Sequence, residues 1–101
     1  MTAELIFDAL GDPTRRQILQ VLSTGARPVG ELADQLPVRR PAVSKHLRVL
    51  QGAGLVSYET VGTRHLYALA PHGYAEAQQW FVQTWDTVLD AFATHLREET
   101  R

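Results

Sequence analysis

The last third of the chain carries a continuous apolar stripe that is too long for a small domain to cover. At 100° per residue, its members fall within about a third of the helix circumference: Tyr74, Ala77, Phe81, Trp85, Val88, Leu89, Phe92 and Leu96. The stripe spans about six turns, or roughly 33 Å at 1.5 Å per residue. A core built from the roughly 70 preceding residues buries too little surface to cover it. The sequence therefore predicts a homodimer sealed by a helix over about residues 72–97.

The first helix is expected to help form this interface. Its candidate residues and those of the last helix are Leu5, Ile6, Phe81, Trp85, Val88, Leu89 and Phe92. The alternative is a long helix that folds back on its own domain. In that alternative, Trp80 lies off the main stripe and has no obvious partner to bury it.

Proline and glycine divide the chain before this helix into short helical segments. Asp12 is a candidate N-cap with Pro13 at the first helical position, and Gly25 ends the second helix. Pro28 is expected to open a third short helix. A tight turn at residues 38–40 then leads into a fourth helix over about 40–52. Two short helices joined by a tight turn predict a helix-turn-helix.

The apolar pattern changes its period after the fourth helix. Over about residues 55–70, apolar and polar residues alternate every second position, and Gly62 separates two such runs. This pattern predicts a two-stranded hairpin that packs against the helices. The expected fold is one mainly α domain over residues 1–101 with a small β-hairpin, in the order ααααββα.

The charges are divided unevenly along a chain whose formal net charge is −1. Residues 37–65 hold five bases and one acid, a net of +4, whereas residues 1–36 carry −2 and residues 66–101 carry −3. A cationic middle third can present one basic surface to a polyanion. An ordinary charged surface is the alternative.

The basic residues cluster on the predicted fourth helix and the hairpin tip. A helix about 10 Å across fits the major groove, where Lys and Arg reach guanine and Ser reaches a base edge or phosphate. Arg64 is placed to enter an adjacent minor groove. His46 lies about 60° from the buried Val43, which favours a packed histidine over a base reader. The candidate DNA-binding residues are Arg15, Arg16, Arg39, Arg40, Ser44, Lys45, His46, Arg48 and Arg64.

Four short stretches carry a family resemblance over essentially the whole chain. They are DPTRR at 12–16, VGELA at 29–33, PAVSKHLRVL at 41–50 and AGLV at 53–56. Together they closely resemble winged helix-turn-helix repressors of the ArsR type. The resemblance implies a dimeric bacterial repressor that binds an inverted repeat in promoter DNA, with the recognition helix at about 40–52 and the wing at about 55–70.

The chain departs from this family where many relatives bind metals. Ala33 and Gln35 occupy the positions of a Cys-x-Cys, and neither side chain ligates a soft ion. The Asp-x-His pattern of other relatives is also absent. We therefore expect no metal and no other cofactor. A zinc site made from Asp90 and His95 would need ligands from the partner subunit.

Other functional classes leave weaker signals. The chain has no cysteine, no phosphate loop and no Gly-x-Ser-x-Gly, and Ser44 and His46 point apart at i and i+2, so no enzyme is expected. Two alternatives stay open: a repressor that responds to a metal or small molecule bound at the dimer helix, and a winged-helix module that binds an acidic protein. The expected location is cytoplasmic, with double-stranded DNA as partner and no membrane segment.

Overall fold

The computed structural model describes residues 3–99, which form five α-helices and three β-strands. The elements are, in chain order, α1 (Ala3–Leu10), α2 (Pro13–Leu22), β1 (Arg27–Pro28), α3 (Val29–Asp34), α4 (Arg40–Gly52), β2 (Val56–Val61), β3 (Arg64–Leu69) and α5 (Pro71–Glu99). The mainly α fold with a small antiparallel sheet confirms the predicted fold class. No helix of the described part is long and apolar enough to cross a membrane.

Local sequence sets the start of α2. Asp12 caps the helix as predicted, because one carboxylate oxygen accepts from the backbone N–H groups of Thr14 at 2.8 Å and Arg15 at 3.1 Å. Pro13 occupies the first turn, where its missing N–H costs nothing. The two N–H bonds also hold the pKa of the Asp12 carboxyl below its ordinary value of 3.8, the bond from Arg15 contributing most.

The end of α4 shows why a glycine follows it. Gly54 adopts a φ of +74°, a left-handed conformation that glycine reaches without steric cost. Its N–H donates to the Gln51 carbonyl at 3.0 Å, and the N–H of Leu55 donates to the Leu50 carbonyl at 3.0 Å. These two bonds form a Schellman motif, which turns the chain from α4 into β2.

The sheet has three strands rather than the two that the sequence predicts. The strand order is β1-β3-β2, with Arg27 opposite Tyr67 and Pro28 opposite Leu66. Pro28 is the N-cap of α3, which begins at Val29, so the residue expected to open the third helix also belongs to an unpredicted strand. A two-residue strand is too short to show alternation, and an edge strand tolerates proline.

The core lies between α1–α4, the sheet and the first turns of α5. Its buried apolar members are Ile6, Ala9, Ile18, Leu19, Leu22, Leu32, Val43, Leu47, Leu50, Ala53, Leu55, Val56 and Ala77. Ile6 is fully buried in this core and has no surface left for a partner subunit. Its assignment to a dimer interface was wrong, because α1 turns Ile6 inward and leaves Leu5 half exposed.

Helix α5 projects from the domain. It has 29 residues, or about 43 Å at 1.5 Å per residue, and the described chain measures 68 Å along its longest axis. The Phe7 ring packs edge-on against Trp80 at 4.8 Å and Phe81 at 5.3 Å. Beyond these rings α5 has no buried residue in its described part. The alternative of a helix folded back on its own domain is wrong, although Trp80 does contact Phe7.

Candidate nucleic-acid interface

Helix α4 has one buried face and one basic face. Val43, Leu47 and Leu50 face the core, whereas Lys45 and Arg48 lie exposed on the opposite side. The apolar face fixes the rotation of the helix about its axis, because turning it would expose the three buried side chains. The basic face is therefore presented to solvent on a firmly packed helix.

The N-terminus of α4 adds two further cations. Arg39 is the N-cap residue, and its side chain makes no capping hydrogen bond. Arg40 begins the helix, and both side chains are exposed. Pro41 has no N–H, and the N–H groups of Ala42 and Val43 already donate to the Arg39 carbonyl at 3.0 and 3.1 Å. The two arginine side chains therefore supply the hydrogen-bond donors and the positive charge at this end of α4, beside the half-buried Ser44.

Four of the predicted DNA-binding cations are electrostatically unpaired. Among residues 3–99, the side chains of this group make no ion pair and no hydrogen bond: Arg39, Arg40, Lys45 and Arg48. We call them the α4 cations. Because no side chain of the described residues neutralises these cations, they create a positive potential over one face of α4.

The wing, formed by β2 and β3, carries Arg64 at its tip. The turn between the strands is Gly62-Thr63, with a φ of +65° at Gly62 and no positive φ at Thr63. This sign pattern is that of a type II′ hairpin. Unlike the α4 cations, Arg64 is paired: its Nη2 lies 3.4 Å from Glu31 Oε1 on α3.

Glu31 is a site residue that the sequence analysis missed. Its second carboxylate oxygen lies 3.7 Å from Arg27 Nη1, so one carboxylate joins β1 and the wing tip to α3. Arg27 and Glu31 are four residues apart, but Arg64 is distant in sequence. No local pattern indicates such a contact.

Aromatic rings cover one face of the wing. Tyr58 lies opposite Tyr67 across the two strands, with ring centroids 5.6 Å apart, and 5.7 Å from the His65 ring. These cross-strand pairs stabilise the hairpin. The wing is thus held at its tip by Glu31 and along one face by contacts between these rings.

Arg15, Arg16 and His46 are placed differently from the α4 cations. Arg15 donates from Nε to the Ala9 carbonyl at 2.6 Å and from Nη2 to the Asp8 carbonyl at 3.0 Å. Its Nη1 lies 3.4 Å from Nδ1 of the half-buried His46. Arg16 donates to the Leu10 carbonyl at 2.6 Å. Both arginines are thus engaged with the last turn of α1.

The apolar stripe of α5 is exposed on the described chain. Phe81, Trp85 and Phe92 show 57%, 63% and 59% of their surface, and Val88, Leu89 and Leu96 are about half exposed. Such a contiguous apolar face exceeds what monomeric proteins ordinarily leave in water.

The acidic and imidazole groups of the described residues form no cluster of three or more that could hold a metal ion. His95 contacts Glu99 at 3.0 Å, and His72 contacts Glu76 at 3.0 Å, each pair one helical turn apart. His72, His95 and Glu99 are exposed and Glu76 is partly buried, and the two pairs lie near opposite ends of α5.

Comparison with known proteins places this architecture among gene regulators. A helix-turn-helix domain model matches residues 10–59. HTH-type transcriptional regulator Rv2034 of Mycobacterium tuberculosis is 44% identical over 93 residues, which cover 92% of this chain and 87% of that protein. Transcriptional repressor SdpR of Bacillus subtilis is 31% identical over 77 residues, covering 76% of this chain and 86% of that protein.

A solved structure shares the fold. The homodimeric winged helix-turn-helix DNA-binding domain of Mb0332 from Mycobacterium bovis, a possible ArsR-family transcriptional regulator, superimposes with a TM-score of 0.66. It is 29% identical, and the match covers 91% of this chain and 82% of that one. The relatives are named as regulators and repressors of transcription, not as enzymes.

Proposed function

This chain belongs to the ArsR-type winged helix-turn-helix transcriptional regulators, and on that premise we propose that it is a homodimeric repressor of an inverted-repeat operator. The observation that carries the proposal is the basic face of α4. Its four cations have no intramolecular partner among the described residues, so they are available to the phosphates and bases of duplex DNA.

The α4 cations are assigned to the major groove. Lys45 and Arg48 lie on the outer face of a helix whose diameter matches that groove, and either side chain can donate to O6 and N7 of guanine. Ser44 is proposed to contact a base edge or a phosphate. Arg39 and Arg40 stand at the helix N-terminus, where recognition helices of this motif usually approach the bases.

Arg64 is proposed to reach the adjacent minor groove from the wing. A narrow minor groove concentrates negative potential and attracts arginine. The Glu31 carboxylate holds Arg64 at 3.4 Å while no DNA is bound, and an exposed ion pair of this kind contributes little free energy. Phosphate can therefore replace the carboxylate at small cost.

The dimer is assigned to the α5 stripe together with Leu5 on α1. The exposed side chains proposed to form it are Leu5, Phe81, Trp85, Val88, Leu89 and Phe92. The homodimeric state of the Mb0332 domain supports this assignment. A two-fold dimer presents its two α4 helices with opposite polarity along the duplex, which requires an inverted repeat.

The proposed repressor binds its operator without a metal. A dimer seated on promoter DNA blocks access to it, and the name of SdpR as a repressor supports this direction of regulation. The alternative of a metal-responsive switch would place ligands from both subunits near His95. EDTA withdraws any metal ion, so DNA binding in its presence shows that the protein needs no metal to bind its operator.

The test is a titration of the purified protein against its own upstream DNA and a scrambled duplex, at two salt concentrations with EDTA present. We expect selective binding at the higher salt with two subunits per site. The four α4 cations and Arg64 make ten cations in the dimer, which predict a slope of log K against log salt of about −9. Weak and equal binding to both duplexes would contradict the proposal and favour an acidic protein partner.

A further inference from the structure

We propose that Arg15 is a positioning residue that fixes α4 relative to α1, and does not itself bind DNA. The inference rests on the proposed function, since it concerns how the DNA-contacting helix is held. Its basis is a side chain on α2 that reaches two other helices at once. The guanidinium contacts the carbonyls of Asp8 and Ala9 on α1, and it contacts His46 on α4. We call these three contacts the Arg15 linkage.

The last turn of α1 needs these donors. The final carbonyls of a helix have no partner within it, and the negative end of the helix dipole attracts a cation. Helix α1 has eight residues and no basic residue in its last turn, so it supplies no cation of its own. The Arg15 Nε atom satisfies the Ala9 carbonyl at 2.6 Å, and Nη2 adds a donor at 3.0 Å to the Asp8 carbonyl, which also accepts from the Gly11 N–H at 3.2 Å.

The third contact explains the position of His46. Arg15 Nη1 is a hydrogen-bond donor and cannot accept, so the His46 Nδ1 atom 3.4 Å away is the acceptor. The ring is half-buried and directed towards α2, away from the face that carries Lys45 and Arg48. His46 thus joins α4 to the linkage.

The geometry makes a phosphate contact by Arg15 unfavourable. Each of its three nitrogens already has a protein partner. Turning the guanidinium towards phosphate would leave the Ala9 carbonyl and the half-buried imidazole without this donor, and the Asp8 carbonyl with only the Gly11 N–H at 3.2 Å. A lysine cannot substitute, because one ammonium at the end of a flexible chain lacks the planar fork that spans three acceptors. The two roles therefore predict different behaviour for a charge-preserving substitution.

Helix α1 connects the linkage to the proposed dimer. Phe7 packs on Trp80 and Phe81 of α5, and Leu5 on the same helix is half exposed. A shift of α1 against α2 would therefore alter the position of α4 relative to the partner subunit. Binding an inverted repeat requires both α4 helices at the correct spacing, so the linkage affects selectivity for the operator.

The experiment compares Arg15→Lys, Arg15→Ala, His46→Ala and the double variant Arg15→Lys/His46→Ala. Each is titrated with the upstream and scrambled duplexes over a range of salt, after sedimentation confirms that it is dimeric. Gln17→Ala is the matched control, since Gln17 is an exposed residue of the same helix α2 and is assigned no contact with DNA. His46→Asn is the second control, because its amide oxygen can replace Nδ1 as acceptor.

We expect Arg15→Lys and His46→Ala each to lower the ratio of operator to scrambled affinity about tenfold. The salt slope should stay unchanged, and the double variant should lose no more than either single one. Both controls should retain the wild-type ratio. A purely stabilising role would lower the active fraction on both duplexes equally and leave the ratio intact, which would overturn the proposal.

A direct contact between Arg15 and DNA predicts a different result. A phosphate contact predicts that Arg15→Lys binds like the wild type and that Arg15→Ala lowers the salt slope by about one per subunit. If the wild-type protein does not discriminate between the duplexes, the proposed function fails. The linkage is then judged by urea unfolding of the same variants without DNA, where non-additive losses support it and additive losses refute it.

Discussion

Replacing Gly73 by alanine gives the sharpest test of how α5 is attached to the domain. Gly73 is buried in the first turn of α5, and its N–H donates to the Gly54 carbonyl at 2.9 Å. A Cβ at this position would lie 2.5 Å from the Gly54 oxygen and 2.7 Å from its carbonyl carbon. Both contacts are with backbone, so no side chain can turn aside to relieve them.

Contributions of opposite sign determine the change in the free energy of unfolding. Alanine in a helix is favoured over glycine by at most about 1 kcal/mol. Overpacking costs about 1–3 kcal/mol, and weakening the bond to Gly54 adds about 1 kcal/mol. The steric term is larger, so we expect Gly73→Ala to lower the free energy of unfolding by about 1–3 kcal/mol.

Urea unfolding followed by far-ultraviolet circular dichroism measures this change. Protein concentrations must be matched, because dimerisation raises the apparent stability. Gly52→Ala is the control, since a Cβ there meets no atom within 4 Å and Gly52 lies at the end of α4. The control should be neutral or stabilising. A Gly73→Ala protein as stable as the wild type would refute the close approach of α5 to the loop after α4.

Three further predictions test other parts of the molecule. Trp85 exposes 63% of its surface, so Trp85→Ala should weaken dimerisation by about 2–4 kcal/mol. Sedimentation equilibrium measures this change, with Val61→Ala as control. An unchanged dimer dissociation constant would contradict the α5 interface. The pKa of Asp12 is lower in the folded protein than its ordinary value of 3.8, so the cap stabilises the fold above pH 3.8. This stabilisation is lost as the pH falls through the pKa of the folded state. Acid unfolding of Asp12→Ala should therefore show a lower stability at neutral pH and a shallower loss below pH 4 than the wild type. Arg64→Ala should weaken binding to operator and scrambled DNA by similar factors and lower the salt slope by about one per subunit; a loss confined to the operator would show base reading by the wing.

Features with a local cause could be predicted from the sequence. The period of apolar residues located the helices and the hairpin, and Asp12 followed by Pro13 marked the start of α2. The exposed stripe on α5 was also visible, because its spacing needs no knowledge of the rest of the fold. Each of these signals lies within one continuous segment of the sequence.

Features that depend on distant contacts could not be predicted. Strand β1 exists only because β3 lies beside it, and Gly73 is required only because the loop after α4 passes close by. Ile6 and Leu5 are neighbours of similar character, and only the position of α1 in the domain decides which of them is buried. The same holds for the basic residues: charge alone does not distinguish Arg15, held by α1, from the unpaired Arg48.

The central claim is that the outer face of α4 reads base sequence, and Arg48 tests it most directly. The measurement compares wild type and Arg48→Ala on the upstream operator and a scrambled duplex at one fixed salt concentration. We predict that the substitution costs about 1–3 kcal/mol on the operator and clearly less on the scrambled duplex, so that the ratio of the two affinities falls. An equal loss on both duplexes would contradict base reading by Arg48 and reduce its role to contact with phosphate.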